Sequence, residues 1–310
     1  EVWMGYAHQM RLMLRGTFTT MEPNFPSSGP PTLTVRGLNV LHQLRRKQYT
    51  TTWGDKTDSE IAENLATLRD DNRRRFPLPI IVREGASAHE PRLPYVAQKS
   101  QYDIDFLLER ARRRGYVVFV EEGDTHARNP RLRERHLYFG PSDKRHPSLR
   151  DVTFELAWGT SLVDFKPTLT TANQVKSVTV NGWNRATRRA ISETITLDDR
   201  ELNRLNPNLH EMLNVCDPRE EYVVDEPVHT VDQAKQRARA ILRDQLKNIV
   251  KSNGTTVGLP DLRAGQRVQI TNLGARFSGT YFVTATTHTI NDSGYTTKFE
   301  ARREDEGARA

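Results

Sequence analysis

The sequence predicts an α+β fold, mainly β: two related small β-barrels or sheets, an α+β module between them, and a helical insertion in the second. Three observations carry this. From Gly265 to Arg303, apolar residues alternate with polar ones in three runs: Val268 and Ile270; Tyr281, Val283 and Ala285; Tyr295, Thr297, Phe299 and Ala301. A period of two marks half-buried strands, whose successive side chains point to opposite faces. Gly274, Gly279 and the Asn291-Asp292-Ser293-Gly294 cluster stand at the corners, where positive φ or an Asx turn is needed. A similar pattern opens the chain, in Val2-Trp3-Met4, Arg15 to Thr20 and Thr32 to Arg36. Setting Gly16 on Gly279 and Gly29 on Gly294 aligns the two stretches.

The first β unit occupies residues 1–48 and closes with an amphipathic turn at Leu38, Leu41 and Leu44. The chain starts at Glu1 inside a strand, so an upstream part of this unit is expected to be missing. The α+β module covers 49–150. Thr57 and Glu60 have the spacing of a capping box, and Ile61, Leu65 and Leu68 follow at i, i+4 and i+7, which predicts a helix over 58–69. Prolines 77, 79, 91 and 94 punctuate extended connections around a short strand at Ile80-Ile81-Val82. A second helix runs from Tyr102 to Arg114 on the stripe Ile104, Leu107, Leu108 and Ala111, with arginines in its last turn where the dipole favours cations. Tyr116 to Val120 and Leu137 to Phe139 read as strands.

The second β unit is expected to be split into 151–196 and 258–303. In its first part Val152, Phe154, Leu156 and Trp158 alternate with polar residues, as do Val178 and Val180. A mostly helical insertion, 197–257, separates the parts. There Thr230 and Gln233 repeat the capping-box spacing ahead of a long amphipathic helix ending at Asn253-Gly254. Residues 304–310 read as a flexible tail.

Composition narrows the function. Counted in the usual way the apolar fraction is roughly 39%, against about 45–50% for an average soluble chain. Such a chain has much surface or builds core between subunits. The net charge of +7 favours polyanions, but both signs are spread throughout. The single Cys216 excludes an intramolecular disulfide and a Cys cluster for metal. No apolar run reaches the ~18 residues of a membrane span, and a soluble protein is expected.

The chemistry-bearing residues form no recognisable constellation. No two histidines have the i, i+4 spacing of a zincin, and His126, His136 and His146 recur at intervals without ligand logic. No P-loop, GxSxG or dinucleotide glycine pattern is present. Glu121-Glu122 with Asp124, or Asp198-Asp199, are the acid–base candidates, but nothing supplies the apolar pocket that would separate their pKa values, and a solvated loop accounts for them. The basic clusters Arg45-Arg46-Lys47, Arg73-Arg74-Arg75, Arg112-Arg113-Arg114 and Arg185 to Arg189 would need a common face to track phosphates. No enzyme, cofactor or metal is expected.

The segment Tyr102 to Tyr116, YDIDFLLERARRRGY, is similar to the helix-then-strand segment of the phage late control gene D proteins. These are tail-hub proteins of contractile phages and of related extracellular contractile injection systems. Val175 to Asn184, and Phe282 to His288 with Gly294, Tyr295 and Phe299, resemble two further segments of that family in the same order. The resemblance implies two tube-like antiparallel β-barrels per subunit and a homotrimer that adapts a hexameric inner tube to a trimeric spike. Because no repetitive β-needle follows Arg303, it implies that the spike is a separate chain. Implied partners are other copies, the inner tube protein, the spike protein and other baseplate proteins, with no membrane in the resting state and no nucleic acid. The implied place is a virion baseplate or injection particle, assembled in the bacterial cytoplasm. On this reading Val178, Val180, Trp183, Tyr281, Val283 and Phe299 are barrel-core or ring-interface positions. The alternatives are a tail-associated cell-wall or glycan hydrolase or binding module, with Glu121 as its acid, and a basic nucleic-acid-binding protein.

Overall fold

The computed structural model describes residues 1–124, 127–142, 146–170, 175–199, 202, 219–224 and 228–304. Cys216, His126 and the tail 305–310 lie outside the described residues. The chain divides into two compact units, 1–111 with 117–149, and 112–116 with 150–310. It is mainly β, as expected.

In the first unit, β1 (Val2–Tyr6) pairs with β2 (Gln9–Leu14), and β3 (Gly16–Asn24) pairs with β4 (Thr32–Asn39). Each pair is a two-stranded antiparallel hairpin with no further strand beside it among the described residues. Residues 1–39 therefore contribute two hairpins, followed by a short 3-10 helix at Val40–Arg45. The module beyond them runs β5 (Gln48–Lys56), α1 (Asp58–Thr67), β6 (Arg69–Asp70), β7 (Arg73–Arg74), β8 (Ile80–Val82), α2 (Ala86–His89), β9 (Leu93–Tyr102), α3 (Asp103–Arg114), β10 (Val117–Glu121) and β11 (His136–Gly140). β5 pairs with β9, and β8 joins the β10–β11 hairpin as a parallel third strand.

Local chemistry explains α1. Glu60 N–H donates to Thr57 Oγ1 at 3.2 Å, and Thr57 N–H donates to Glu60 Oε2 at 3.1 Å, so the predicted box satisfies two otherwise orphaned donors. The apolar side of α1, with Ile61, Ala62 and Leu65, is buried. The module's charges are paired inside it. Asp103, at the start of α3, accepts from Arg75 Nη2 at 2.5 Å and from Gln98 Nε2 at 2.8 Å. Arg75 also donates to Thr51 Oγ1 and stacks on Tyr49, 3.6 Å from the ring centre. Asp58 accepts from Arg110 at 2.6 Å. Buried ions at these separations are tolerated only because each has its partner.

The second unit contains β12 (Thr153–Ala157), β13 (Leu162–Leu169), β14 (Val175–Asn184), β15 (Arg189–Thr196), β16 (Arg219–Val223), α4 (Val231–Lys247), β17 (Val250–Val257), β18 (Arg267–Thr271), α5 (Gly274–Phe277), β19 (Gly279–Asn291) and β20 (Gly294–Arg303). Six strands form one sheet in the order β12-β18-β19-β20-β17-β13. Its two edge strands, β12 and β13, are joined by a tight turn in which Ser161 N–H donates to Ala157 O at 3.0 Å and Ala157 N–H to Ser161 Oγ at 2.8 Å. Opposite edges of one sheet meeting at a four-residue turn require the sheet to curl into a half-barrel. Pro167 is tolerated in β13 because that strand is an edge.

The expected split of this unit falls elsewhere in the chain. β14 and β15 belong to a separate three-stranded sheet, β15-β14-β16, which packs on α4; β17 belongs to the half-barrel. The insertion is thus 170–249 rather than 197–257. It leaves and re-enters at one point, where Leu169 pairs with Val250 and Thr170 N–H donates to Ile249 O at 3.0 Å. Asn253-Gly254, read from sequence as a helix stop, lies in the middle of β17. A Cβ on Gly254 would occupy the space of the Phe299 ring, so glycine is there for close approach and not for a turn. One continuous apolar core links the half-barrel's Val268, Ile270, Tyr281, Val283 and Phe299 with Val178 and Val180 of β14 and Ala234, Ala238 and Leu242 of α4.

Candidate interaction surfaces

The β3–β4 hairpin presents an unusual pair of faces. Its register sets Phe18 opposite Gly37, Met21 opposite Val35 and Pro23 opposite Leu33, so Phe18, Met21, Pro23, Leu33 and Val35 share one face. Thr20, Glu22, Thr34 and Arg36 share the other, where Arg36 pairs with Glu22 at 2.8 Å. The bulge at Thr19 keeps Phe18 in phase with Met21. A strand pattern of apolar against polar faces ordinarily means that the apolar face is covered. Here it is open: Phe18 is 70% exposed, Met21 61%, Leu33 60% and Val35 39%. Both outer edges of the hairpin are also unpaired among the described residues. An isolated two-stranded hairpin is marginal in water, and a contiguous exposed apolar patch marks an interaction site. The β1–β2 hairpin adds exposed Val2, Trp3, Tyr6 and Met10.

The hairpin β19–β20 is the sequence echo of β3–β4. Both begin on a glycine and carry a bulge early in the first strand. β19–β20, however, is flanked by β18 on one side and β17 on the other. Its inward residues Tyr281, Val283 and Phe299 are buried, with Phe165 edge-on to Tyr281 at 5.5 Å and Tyr281 Oη donating to Phe277 O at 2.8 Å. The predicted corners are present. Gly274 and Gly294 have φ of 71° and 112°, and Asn291 Oδ1 accepts from Ser293 N–H at 3.0 Å.

Of the six positions singled out from sequence, five are internal. Val178 and Val180 face α4 from β14, and Tyr281, Val283 and Phe299 fill the half-barrel. Trp183 is not core: it is 53% exposed on the opposite face of β14 from Val178 and Val180. Alternation placed it in a strand, but its odd position relative to Val180 puts it on the outer face. The exposed β3–β4 face was missed because Phe18, Met21, Leu33 and Val35 read as ordinary alternation; that nothing covers them is a tertiary property.

The candidate acid–base group is structural in its surroundings. Glu122 is buried and lies 2.9 Å from Arg135, which also donates to Arg15 O. Burial raises the Glu122 carboxyl above its ordinary range, and Arg135 opposes that shift. Glu121 sits across the β10–β11 hairpin from buried His136. Three cations of two basic clusters are paired with carboxylates, Arg45 with Asp105 at 2.9 Å, Lys47 with Asp70 at 2.7 Å and Arg75 with Asp103. No group of three or more His, Cys, Asp or Glu among the described residues is arranged to hold a metal ion, and no described helix is long and apolar enough to cross a membrane.

His288 ties the far half of β19–β20 to the segment before β18. Its Nε2 donates to Leu262 O at 3.1 Å, leaving Nδ1 to accept from Tyr295 Oη at 2.9 Å and Thr297 Oγ1 at 3.1 Å. Thr297 Oγ1 in turn accepts from Leu259 N–H at 2.9 Å. Burial, assisted by the nearby Arg263, lowers the His288 pKa.

A family model described as Alg8 N-terminal domain matches residues 1–292. The chain belongs to this family. Comparison with curated proteins found no match. Among solved structures, the fold is similar to a tail protein from Neisseria meningitidis MC58, with a TM-score of 0.67 at 14% identity over 96% of this chain and 82% of that one. It is similar to a 43 kDa tail protein of prophage MuSo2 from Shewanella oneidensis, with a TM-score of 0.65 at 13% identity over 94% of this chain and 78% of that one. It is also similar to an E. coli component of the type VI secretion system described as resembling the bacteriophage T4 tail proteins gp27 and gp5. That match has a TM-score of 0.58 at 14% identity and covers 99% of this chain and 65% of the other. The fold is thus one shared with tail and secretion-system proteins.

Proposed function

We propose that the chain is a non-enzymatic structural hub of a contractile tail or injection system, of the late control gene D type. It acts as a homotrimer between a hexameric inner tube and a trimeric spike. The observation that carries this reading is the β3–β4 hairpin, which has an open apolar face and two open edges where its echo β19–β20 is flanked by β17 and β18. On this reading a neighbouring copy covers that face. Two β units per chain in three chains then present six similar elements to a sixfold tube, while the assembly keeps the threefold symmetry of a spike. The fold shared with tail proteins supports the same reading. A spike, the tube protein and other baseplate proteins are its partners, in a particle assembled in the bacterial cytoplasm.

Native mass spectrometry of the full chain tests it. A trimer is expected at micromolar concentration; a monomer at every concentration, with and without the inner tube protein, would overturn the reading.

A further inference from the structure

The outer face of the β15-β14-β16 sheet carries an unusual set of side chains. The registers Thr179↔Thr194, Asn181↔Ser192, Trp183↔Ala190 and Thr179↔Tyr222 place Thr179, Asn181 and Trp183 of β14, Ser192 and Thr194 of β15 and Tyr222 of β16 on one side. Trp183 is 53% and Tyr222 62% exposed. They are four residues apart along the strand direction, about 14 Å at ~3.3 Å per residue with one strand spacing across. Among the described residues, hydroxyls and an amide lie between them: exposed Ser192 and Thr194, half-buried Asn181, and Thr179, which is 9% exposed and bonded to Thr194 at 2.8 Å. Beyond Trp183 the β14–β15 turn holds Arg185, Arg188 and Arg189, all exposed. Asn184 Oδ1 fixes that turn by accepting from Ala186 and Thr187 N–H at 3.0 and 3.1 Å. At the other end Tyr222 Oη donates to Glu220 at 3.1 Å.

We propose that this face binds an acidic glycan, with sugar rings lying on Trp183 and Tyr222, sugar hydroxyls bonded to the Thr, Ser and Asn carpet, and a carboxylate held by the arginines of the β14–β15 turn. Rigid amphipathic aromatics interleaved with short hydrogen-bonding side chains suit a flat ligand that is polar at its rim and less polar on its ring faces. Guanidinium forks match carboxylates in bidentate geometry. A nucleic acid strand fits less well, because it carries a charge roughly every 3.4 Å per strand, whereas here the cations stand at one end and Glu220 at the other. A protein partner fits less well too, since the centre of a specific protein interface is apolar and this centre is made of hydroxyls.

The test uses the full chain and follows intrinsic tryptophan fluorescence and calorimetry on adding a galacturonate tetramer, with cellotetraose, a single-stranded oligodeoxynucleotide and polyglutamate as comparators. The tetra-uronate is expected to bind and to shift the emission. Trp183→Ala should weaken binding by about tenfold or more and Trp183→Phe much less, because the ring is kept. Arg185→Gln/Arg188→Gln/Arg189→Gln should remove the preference over cellotetraose. Unchanged thermal unfolding of these surface variants ties any loss to the face itself. Binding of the uronate that is absent, equal to that of cellotetraose, weaker than that of the oligonucleotide or polyglutamate, or insensitive to Trp183→Ala overturns the proposal.

Discussion

Phe18 separates assembly from folding. In a single chain its side chain is 70% exposed, so Phe18→Ser removes almost no intramolecular contact and should change monomer stability by no more than about 0.5 kcal/mol. If a neighbouring copy covers the β3–β4 face, the same change forfeits the burial of that exposed area. Full burial of a phenylalanine is worth about 1.5–3 kcal/mol, so covering seven-tenths of it returns about 1–2 kcal/mol per subunit. A symmetric trimer repeats the contact three times, for a total of about 3–6 kcal/mol. That lowers the assembly constant by about 10²–10⁴, at about 1.4 kcal/mol per tenfold. Leu33→Ser on the same face, added to Phe18→Ser, should roughly double the free-energy loss. Sedimentation velocity across a micromolar concentration series reads the trimer fraction, and urea unfolding reads the subunit. The reasoning fails if the double variant assembles as the parent does, or if Phe18→Ser alone destabilises the subunit by 2 kcal/mol or more, about the cost of a buried site.

Three further outcomes follow from the interior. Asp103→Ala leaves the buried Arg75 guanidinium without its carboxylate and should cost about 3–5 kcal/mol in urea unfolding, whereas Arg75→Met/Asp103→Leu should recover most of it. Gly254→Val drives a side chain into the Phe299 ring and should cost about 1–3 kcal/mol, with Phe299→Leu in the same chain restoring part of the loss if the ring is the obstacle. The folded His288 pKa lies below its ordinary 6.5, so the unfolded chain binds more protons as pH falls through that value. Its stabilisation is complete above about pH 6.5 and declines below it. His288→Gln should flatten the loss of thermal stability between pH 7 and 5, and a pH profile identical to the parent's would count against a stabilising role for neutral His288 and its bonds to Leu262, Tyr295 and Thr297.

Sequence reading succeeds here where a local rule decides the outcome. Thr57 with Glu60 starts α1 because two side chains satisfy two backbone donors within four residues, and nothing distant bears on it. The same spacing at Thr230 and Gln233 gives a variant: Thr230 Oγ1 accepts from Gln233 N–H, but Gln233 Oε1 accepts from His229 N–H instead of the cap residue's own. The strands β18, β19 and β20 were legible from alternation and turn chemistry together. What was not legible is which strand joins which sheet. Period two gives a strand two faces but no neighbours, so β14 and β15 were assigned to the half-barrel when their alternation belongs to a sheet covered by α4. β17 is hidden because Asn253-Gly254 carries the residue types that commonly follow a helix end, and only the Phe299 ring, far along the chain, explains that glycine. Trp183 shows the same limit at a candidate site: its strand was right, and its face depended on where the helix packs.

The single crossing point at Leu169 and Val250 gives the second unit an evolutionary freedom. Because β13 and β17 pair in register right up to that point, the sheet experiences residues 170–249 as one long hairpin loop. Closing a longer loop costs only about 0.6 kcal/mol per doubling of length, so the pairing tolerates changes of length there, provided the side of the insertion that shares the half-barrel's core is kept. The half-barrel's strand pairing can stay constant while the outer face bearing Trp183 and Tyr222, which lies on the side of β14 away from the shared core, is altered. The second unit thereby carries a surface on which selection for new chemistry can act without disturbing the register of β13 and β17.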